Sequence, residues 1–464
     1  MNTHEVLGRG PSLPVHDCDA SSQALQHRIS TLRPQSIKFT VQSEIDDVVI
    51  GGAGPVGLTA ACMLRQRRES VTVVERRSWK QLGEDSADQH SFNVTLVHRS
   101  MALLASIGAP VDDLAIALDA RQFWRGNRVS VHRYGLRDTD RLYSIPRTSL
   151  VRRLLQRAER LGVRFIDSTH IVSLDARRGS LLTQSSDSTV LQINANKVLV
   201  ADGANSRLRE DIARQADTSY SREPDGFCYA TLRIDPAAVE RAGLPLHHIH
   251  FVPGTGGMDL ALPNRDGSMS LLLERPDRGD LATFDSGHDA EMFLAGCPPL
   301  LRGLVPDAVA QIRLSPVRRF KYVRCGVWSF GRAVLLGDAA RCCPPYTGQG
   351  LNGGLHDAAS FMAAFAATGH DWRRAAALYE VERREHCRRV QRLTEAHGRC
   401  LHSGRFGDFR WRLCDRVERF AERIIGYRSA YQRTVFDPVF ADETSMHAML
   451  DARTTVRIEG EEDG

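Results

Sequence analysis

The chain is almost without lysine. Lys38, Lys80, Lys197 and Lys321 are its only ones, so its 61 basic residues are nearly all arginine, as a compositional bias would leave them. There is no basic stripe interleaved with aromatics, and the net charge of +5 is mild and dispersed, which argues against a nucleic-acid partner. Long apolar runs are missing too, so no membrane span is expected. The ten cysteines form no CxxC and keep no regular spacing. That pattern argues against a disulfide framework and for a reduced, cytoplasmic protein. Residues 1–44 lack periodicity and the apolar core of a signal peptide, and read as a flexible leader. No repeats occur. What is left is an ordinary globular composition, and 464 residues allow two or three domains with a sizeable core.

The most informative stretch runs from Asp46 to Glu75. Val48, Val49 and Ile50 form a short β-branched run of the kind buried on both faces of a sheet. Gly52, Gly54 and Gly57 then make a GxGxxG, with Pro55 and Val56 opening a helix that continues through Leu64. A second apolar run, Val71 to Val74, ends in Glu75, the spacing at which an acid meets a ribose. The first glycine permits a sharp turn, the second admits a pyrophosphate, and the third lets helix and strand pack closely. Free amides at the helix N-terminus complete an anion site. The assembled pattern predicts dinucleotide binding.

Two later segments repeat the form of apolar strand, sharp turn and helix. Lys197 to Val200 leads into Asp202-Gly203, and Ala333 to Leu336 leads into Gly337-Asp338. Between them, Gly226 to Arg313 alternates like an antiparallel sheet, with turns at Pro253-Gly254 and Asn264 to Gly267. Arg121 to Trp124 and Arg128 to His132 are further strands, and Leu150 to Leu161 is a helix capped by Gly162. From Asp371 onward the pattern is helical and arginine-rich, interrupted near Gly404 to Asp408.

With these segments in order, the chain resembles the single-component FAD-dependent aromatic hydroxylases over roughly Ile45 to Gly369. Gly337-Asp338-Ala339-Ala340, Pro345 and Gly348-Gln349-Gly350-Leu351-Asn352 match their second FAD motif. Asp202-Gly203 through Arg209 matches their shared flavin and nicotinamide motif. The resemblance implies an α/β fold: a doubly wound FAD domain (45–118, 146–222 and 318–370), an antiparallel substrate sheet (119–145 and 223–317) and a helical C-terminal region (371–464). It implies FAD as cofactor, NADPH or NADH as transient reductant, and O2 as oxygen donor to a small aromatic substrate. Cofactor contacts would come from the fingerprint residues with Arg76, from Thr95, Arg147 and Ile171, and from the two glycine-acid turns. Gly348, Gly350, Leu351 and Asn352 would present helix amides to the flavin.

Within the family, the kynurenine-hydroxylating branch is most alike. Ser91 to Arg99 resembles its segment beside the flavin, and Asp259 to Asn264 resembles its substrate hairpin. Arg121 and Tyr134 fall where that branch holds the substrate carboxylate. A guanidinium offers a bidentate fork and a phenol one more donor. Leu260, Leu262, Pro345 and Tyr346 would line the same pocket. The departures are Arg341 for a histidine, Glu274 for an aromatic wall residue, and Arg388 for an asparagine on the C-terminal helix. No acid–base residue is assigned, since the flavin carries the chemistry. Kynurenine 3-hydroxylation is the expected reaction. The alternatives are hydroxylation of a tryptophan- or anthranilate-derived or polycyclic aromatic, an oxidase releasing peroxide, and a flavin-binding interaction protein without turnover. A halogenase is disfavoured because none of the five tryptophans sits in a WxWxIP segment. Cys342-Cys343 reads as small apolar filler. His247, His248 and His250 read as polar residues on an exposed sheet face without a carboxylate partner, so no metal is expected. A monomer and a homodimer are both open.

Overall fold

The computed structural model describes residues 39–83, 92–125, 128–254, 256–277, 279, 287–315, 317–402 and 432. The leader up to residue 38, Ser91 and the helical region beyond His402 lie outside the described residues, Gln432 excepted. Val48, Val49 and Ile50 are wholly buried, as their β-branched run requires, in the strand Phe39–Gly51. That strand pairs in parallel with Val71–Val74 on one side and Val190–Val200 on the other. Ala333–Leu335 and Arg164–Ile166 extend the parallel order, and a hairpin, Thr169–Asp175 with Ser180–Ser185, folds back onto Val190–Val200. The helix Pro55–Gln66 packs against both Arg147–Arg160 and Gln349–Ala367. Segments far apart in sequence thus build one doubly wound layer around a continuous apolar core.

A second sheet runs in the order Arg341–Cys342, Arg318–Cys325, Tyr220–Ile234, Met269–Pro276, Met258–Pro263, His248–Pro253, Ala120–Arg125, Arg128–Arg133. All its pairings are antiparallel except His248–Pro253 with Ala120–Arg125. A small sheet of Asn93–Val97, Leu142–Pro146 and Ile116–Leu118 stands beside these two. The long helix Trp372–His402 packs along Gln349–Ala367. Among the described residues no helix is long and apolar enough to cross a membrane.

Two readings need correction. The first strand begins at Phe39, inside the expected leader, because Val190 to Gln192 offer it a partner edge. The segment expected as sheet from Gly226 through Arg313 contains four helices, Pro236–Arg241, Gly287–Ala295, Pro299–Leu304 and Ala308–Leu314. Ala290, Phe293, Leu294, Cys297, Leu301 and Ile312 are buried in a second core with Leu271 and Leu273 of the sheet, which gives these short helices their reason to form.

Candidate functional site

A cavity of about 720 Å3 is lined from both sheets. The parallel layer contributes the fingerprint loop. Gly52 has φ +105°, and a Cβ there would lie 2.6 Å from the Ala201 carbonyl oxygen. A Cβ on Gly57 would lie 2.1 Å from the Gly52 oxygen, so this glycine is what lets helix and strand touch. Gly54 differs: a Cβ there meets nothing within 4 Å, and the residue faces the cavity. Gly203 and Gly350 are likewise open and likewise line the cavity. Three separate turns therefore leave room at the same place, a bed that side chains would fill and an FAD-sized group fits. Pro55 and Val56 line it beside them. The helix Pro55–Gln66 has no acidic residue in its first turn and no side-chain cap, so its Val56 and Gly57 amides and its positive end are left for an anion.

Glu75 is buried; its Oε2 accepts from the Ala53 amide at 2.8 Å and its Oε1 from Arg77 Nε at 3.0 Å. The carboxylate thus braces the fingerprint loop. Arg76 is exposed just after it, and Arg77, which sequence reasoning passed over, lines the cavity. Ile171 is core packing against Gly51. Asp202 stands at the turn after Val190–Val200, its carboxylate bonded to Ser206. None of Gly52, Gly57, Glu75, Arg76, Ile171, Asp202, Gly337 and Asn352 lines the cavity.

Thr95, Arg147, Asp338, Gly348, Gly350 and Leu351 do. Burial raises the Asp338 carboxyl above the usual range, and the charges of Arg341 and Arg147 oppose that rise. Gly348 caps Gln349–Ala367 in the left-handed region at φ +66°, leaving the Gln349, Gly350 and Leu351 amides without intrahelical acceptors. The Asn352 side chain is fully engaged. Its Oδ1 accepts from Val97 N and Ser100 Oγ, and its Nδ2 donates to the Thr95 and Gly348 carbonyls. Asn352, expected with its neighbours to present helix amides to the flavin, does not line the cavity; its side chain is a buried clamp that ties the glycine loop to Asn93–Val97.

The antiparallel cover supplies Arg121, Tyr134, Leu260, Leu262 and Glu274, and the glycine-rich loop adds Pro345 and Tyr346. Leu260 and Leu262 share a face through strand alternation. Arg121 and Tyr134 do meet; the guanidinium carbon lies 5.4 Å from the phenol ring centre. His397 stands near Arg121, and burial, with that charge adding, pushes its imidazole down to about 3. Glu274 is 2% exposed and heavily partnered, by Met258 N at 2.9 Å, Tyr346 Oη at 3.2 Å and His402 Nε2 at 3.0 Å. The Tyr346 hydroxyl donates to Asp225, and burial, together with Glu274, holds this phenol protonated. His402 stacks on Phe227 with ring centres 4.0 Å apart.

Arg388 is not brought to the cavity. It is exposed on the outer face of Trp372–His402, with Glu385 Oε2 4.0 Å away. The buried stripe of that helix runs Arg383, Cys387, Val390, Gln391, Thr394, Gly398, and position 388 is one step, about 100°, off it. That 3.6-residue stripe was the signal that could have pointed to His397 and His402 instead.

Cys342 and Cys343 are free thiols at the cavity wall; burial pushes Cys343 up to about 11 and raises Cys342 as well. The histidine reading also needs correction. His250 is buried, bonded to Trp124 Nε1 and the Pro245 carbonyl, and a carboxylate, Asp119, does stand beside His248.

Residues 46–394 match the FAD binding domain family. The kynurenine 3-monooxygenase of Stenotrophomonas maltophilia is 30% identical over 350 residues, covering 74% of this chain and 76% of that protein. The kynurenine 3-monooxygenase of Flavobacterium psychrophilum is 29% identical over 343 residues, covering 73% and 76%. The tetrameric form of 2-methyl-3-hydroxypyridine-5-carboxylic acid oxygenase shares the fold, with TM-score 0.64 at 20% identity over 86% of this chain and 98% of that one.

Proposed function

The chain belongs to the FAD binding domain family of FAD-dependent aromatic hydroxylases, and from that premise we propose that it inserts one oxygen atom of O2 into an aromatic amino acid or related carboxylate, kynurenine first, with NADH or NADPH as reductant. The observation that carries this reading is the meeting of Arg121 and Tyr134 in the cavity that Gly54, Gly203 and Gly350 leave open. When bound, FAD supplies the redox chemistry and the activation of oxygen.

Everything else falls to the chain. The Val56 and Gly57 amides receive the pyrophosphate. Asp338 accepts hydrogen bonds from ribitol hydroxyls, and the amides at the start of Gln349–Ala367 favour negative charge on the flavin. Arg121 and Tyr134 hold the substrate carboxylate, which needs a charge partner once out of water. Leu260, Leu262, Ile249 and Phe251 keep the ring in a dry, apolar slot.

Glu274 favours a second reading of the substrate. Its carboxylate, with Asp225, Tyr346 and His402, makes one stretch of wall polar, which suits an aromatic carrying its own hydrogen-bond donors. The test is a screen of the FAD-loaded protein with kynurenine, anthranilate, tryptophan and hydroxybenzoates. NADPH and NADH oxidation would be followed, and products identified by mass. Kynurenine-stimulated oxidation with gain of one oxygen atom is expected. Stimulation by none of these aromatic carboxylates would overturn the reading.

A further inference from the structure

A second constellation lies on the same cover sheet, away from the cavity. His248 opens the strand His248–Pro253, which pairs in parallel with Ala120–Arg125 and sets His248 opposite Ala120. The pairing draws Asp119 alongside, its amide donating to the His247 carbonyl at 3.1 Å. His247 precedes the strand and so escapes its alternation. Its ring lies edge-on to that of His248, with centres 4.2 Å apart. One ligand atom from each of Asp119, His247 and His248 lies within 4.8 Å of the other two. None of the three lines the cavity.

The protonation pattern says more than the proximity. His248 Nδ1 is 2.7 Å from Gln122 Oε1, an atom that can only accept, so Nδ1 carries the hydrogen and Nε2 is a bare lone pair in the neutral ring. That lone pair faces Asp119 Oδ1 at 3.6 Å. Asp119 Oδ1 is itself buried and has no hydrogen-bond partner. With that ring neutral, two acceptors therefore face each other, 3.6 Å apart. A cation relieves this directly. Ligands at about 2.1 Å from a tetrahedral zinc lie roughly 3.4 Å apart, close to the 3.6 Å between His248 Nε2 and Asp119 Oδ1.

We propose that Asp119, His247 and His248 bind one divalent transition-metal ion of the zinc class, leaving its fourth position to water. Two imidazoles and one carboxylate suit zinc, cobalt, nickel or copper rather than magnesium or calcium. Gln122 is the partner that fixes the tautomer of the ligating ring, and it is 5% exposed. Arg133 stands near His248 as an opposing charge, so the Asp119 carboxylate is indispensable. The Asp119 carbonyl also accepts the Tyr134 amide at 3.1 Å, and Arg121 follows two residues on. An ion here would stiffen the junction that places both anchor residues.

The test uses the full chain, FAD-loaded, free of any purification tag, chelator-treated and desalted. It is titrated calorimetrically with zinc chloride alone and, separately, with cobalt(II) followed by visible absorption. One equivalent should bind, with the spectrum of a low-coordinate site. Asp119→Asn, which keeps shape, and His248→Ala should each abolish binding. Gln122→Leu should weaken it roughly 10- to 100-fold. Absence of zinc binding to the wild-type chain would overturn the proposal. So would wild-type binding in both Asp119→Asn and His248→Ala, which would place the ion elsewhere.

Discussion

Replacing Gly54 with alanine should separate cofactor binding from folding. Gly54 has φ −74° and ψ 173°, which any residue adopts, and its absent Cβ would meet no heavy atom within 4 Å. Without cofactor the methyl stands in open cavity. Two small effects then oppose one another. Restricting the unfolded chain stabilises by about 0.4–1 kcal/mol, whereas alanine is a poorer helix N-cap than glycine by about 0.5–1 kcal/mol. The apo protein should melt within a few degrees of wild type, since 1 kcal/mol moves Tm by roughly 1–2 °C in a chain of this size. FAD meets a different situation, because the methyl occupies the space its pyrophosphate needs. Overpacking of this kind costs about 1–3 kcal/mol, or roughly 5- to 140-fold in affinity.

Gly57→Ala is the control that gives this prediction its edge. Its Cβ would lie 2.1 Å from the Gly52 oxygen, so the helix must move off the strand whether or not FAD is present. Apo Gly57→Ala should therefore melt well below wild type. Deflavinated samples of each variant would be melted by circular dichroism and titrated with FAD by fluorescence quenching. Wild-type FAD affinity in Gly54→Ala would refute the cradle. An apo melting point as depressed as that of Gly57→Ala would refute the division of labour between the two glycines.

Arg121→Ala should raise KM for a carboxylate substrate roughly 100-fold, the effect of losing a charge-assisted contact, and Tyr134→Phe by about fivefold, with FAD content normal in both. Arg388→Ala should leave steady-state kinetics unchanged, because the side chain faces solvent; a raised KM would return it to the pocket. Asp357→Ala should lower unfolding free energy by about 3–5 kcal/mol in guanidinium titrations, since it strips the buried Arg383 and Arg341 of their counter-charge. Burial pushes His250 down to about 4, against the pull of its bond to the Pro245 carbonyl. Between pH 6.5 and 4 the unfolded chain then takes a proton that the folded chain refuses, so stability falls as pH falls; His250→Gln should shrink the loss between pH 7 and pH 5 by about 2 kcal/mol.

What was legible in the sequence was local. The GxGxxG fingerprint and the Asp202-Gly203 turn each carry strand, bend and helix within a few residues and fold as their patterns demand. The Gly337-Asp338 turn instead leads first into the short strand Arg341–Cys342, and its helix begins only at Gln349. The helices between Gly287 and Leu314 were missed although Ala290, Phe293, Leu294 and Cys297 follow the i, i+3, i+4, i+7 rule. They are short, and Pro298-Pro299 resembles a sheet turn. Long-range pairings were not legible at all. Nothing near Glu274 announces that Asp225, Tyr346 and His402 will converge on it. Nothing near His248 announces Asp119, which arrives only through a parallel strand pairing between distant segments.

The three departures from the family pattern now sort by where they lie. Arg388 is on the surface and bears on neither ligand. Arg341 is buried beneath the Gly337-Asp338 turn, 3.6 Å from Asp357, and a Cβ on Gly353 would lie 1.9 Å from its guanidinium. Arg341, Gly353 and Asp357 are thus one mutually adjusted unit: the glycine makes room for the guanidinium and the carboxylate balances it. The Gly337 amide donates to the same Asp357 at 3.1 Å, so the unit also holds the turn that aims Asp338. The Arg341 charge in turn favours the ionised form of Asp338, the state able to accept two ribitol hydroxyls. That departure therefore acts on the cofactor side. Glu274 alone stands in the cavity wall, and it arrives with Met258 N and His402 Nε2 on one oxygen and the Tyr346 hydroxyl, whose proton it shares with Asp225, beside the other. A wall of this kind is stable without ligand, and in the proposed function it would discriminate against substrates that present only apolar surface to it. On the proposed reading, substrate identity would be decided at Glu274 and its hydrogen-bonded neighbours, with Arg121 and Tyr134 setting the requirement for a carboxylate.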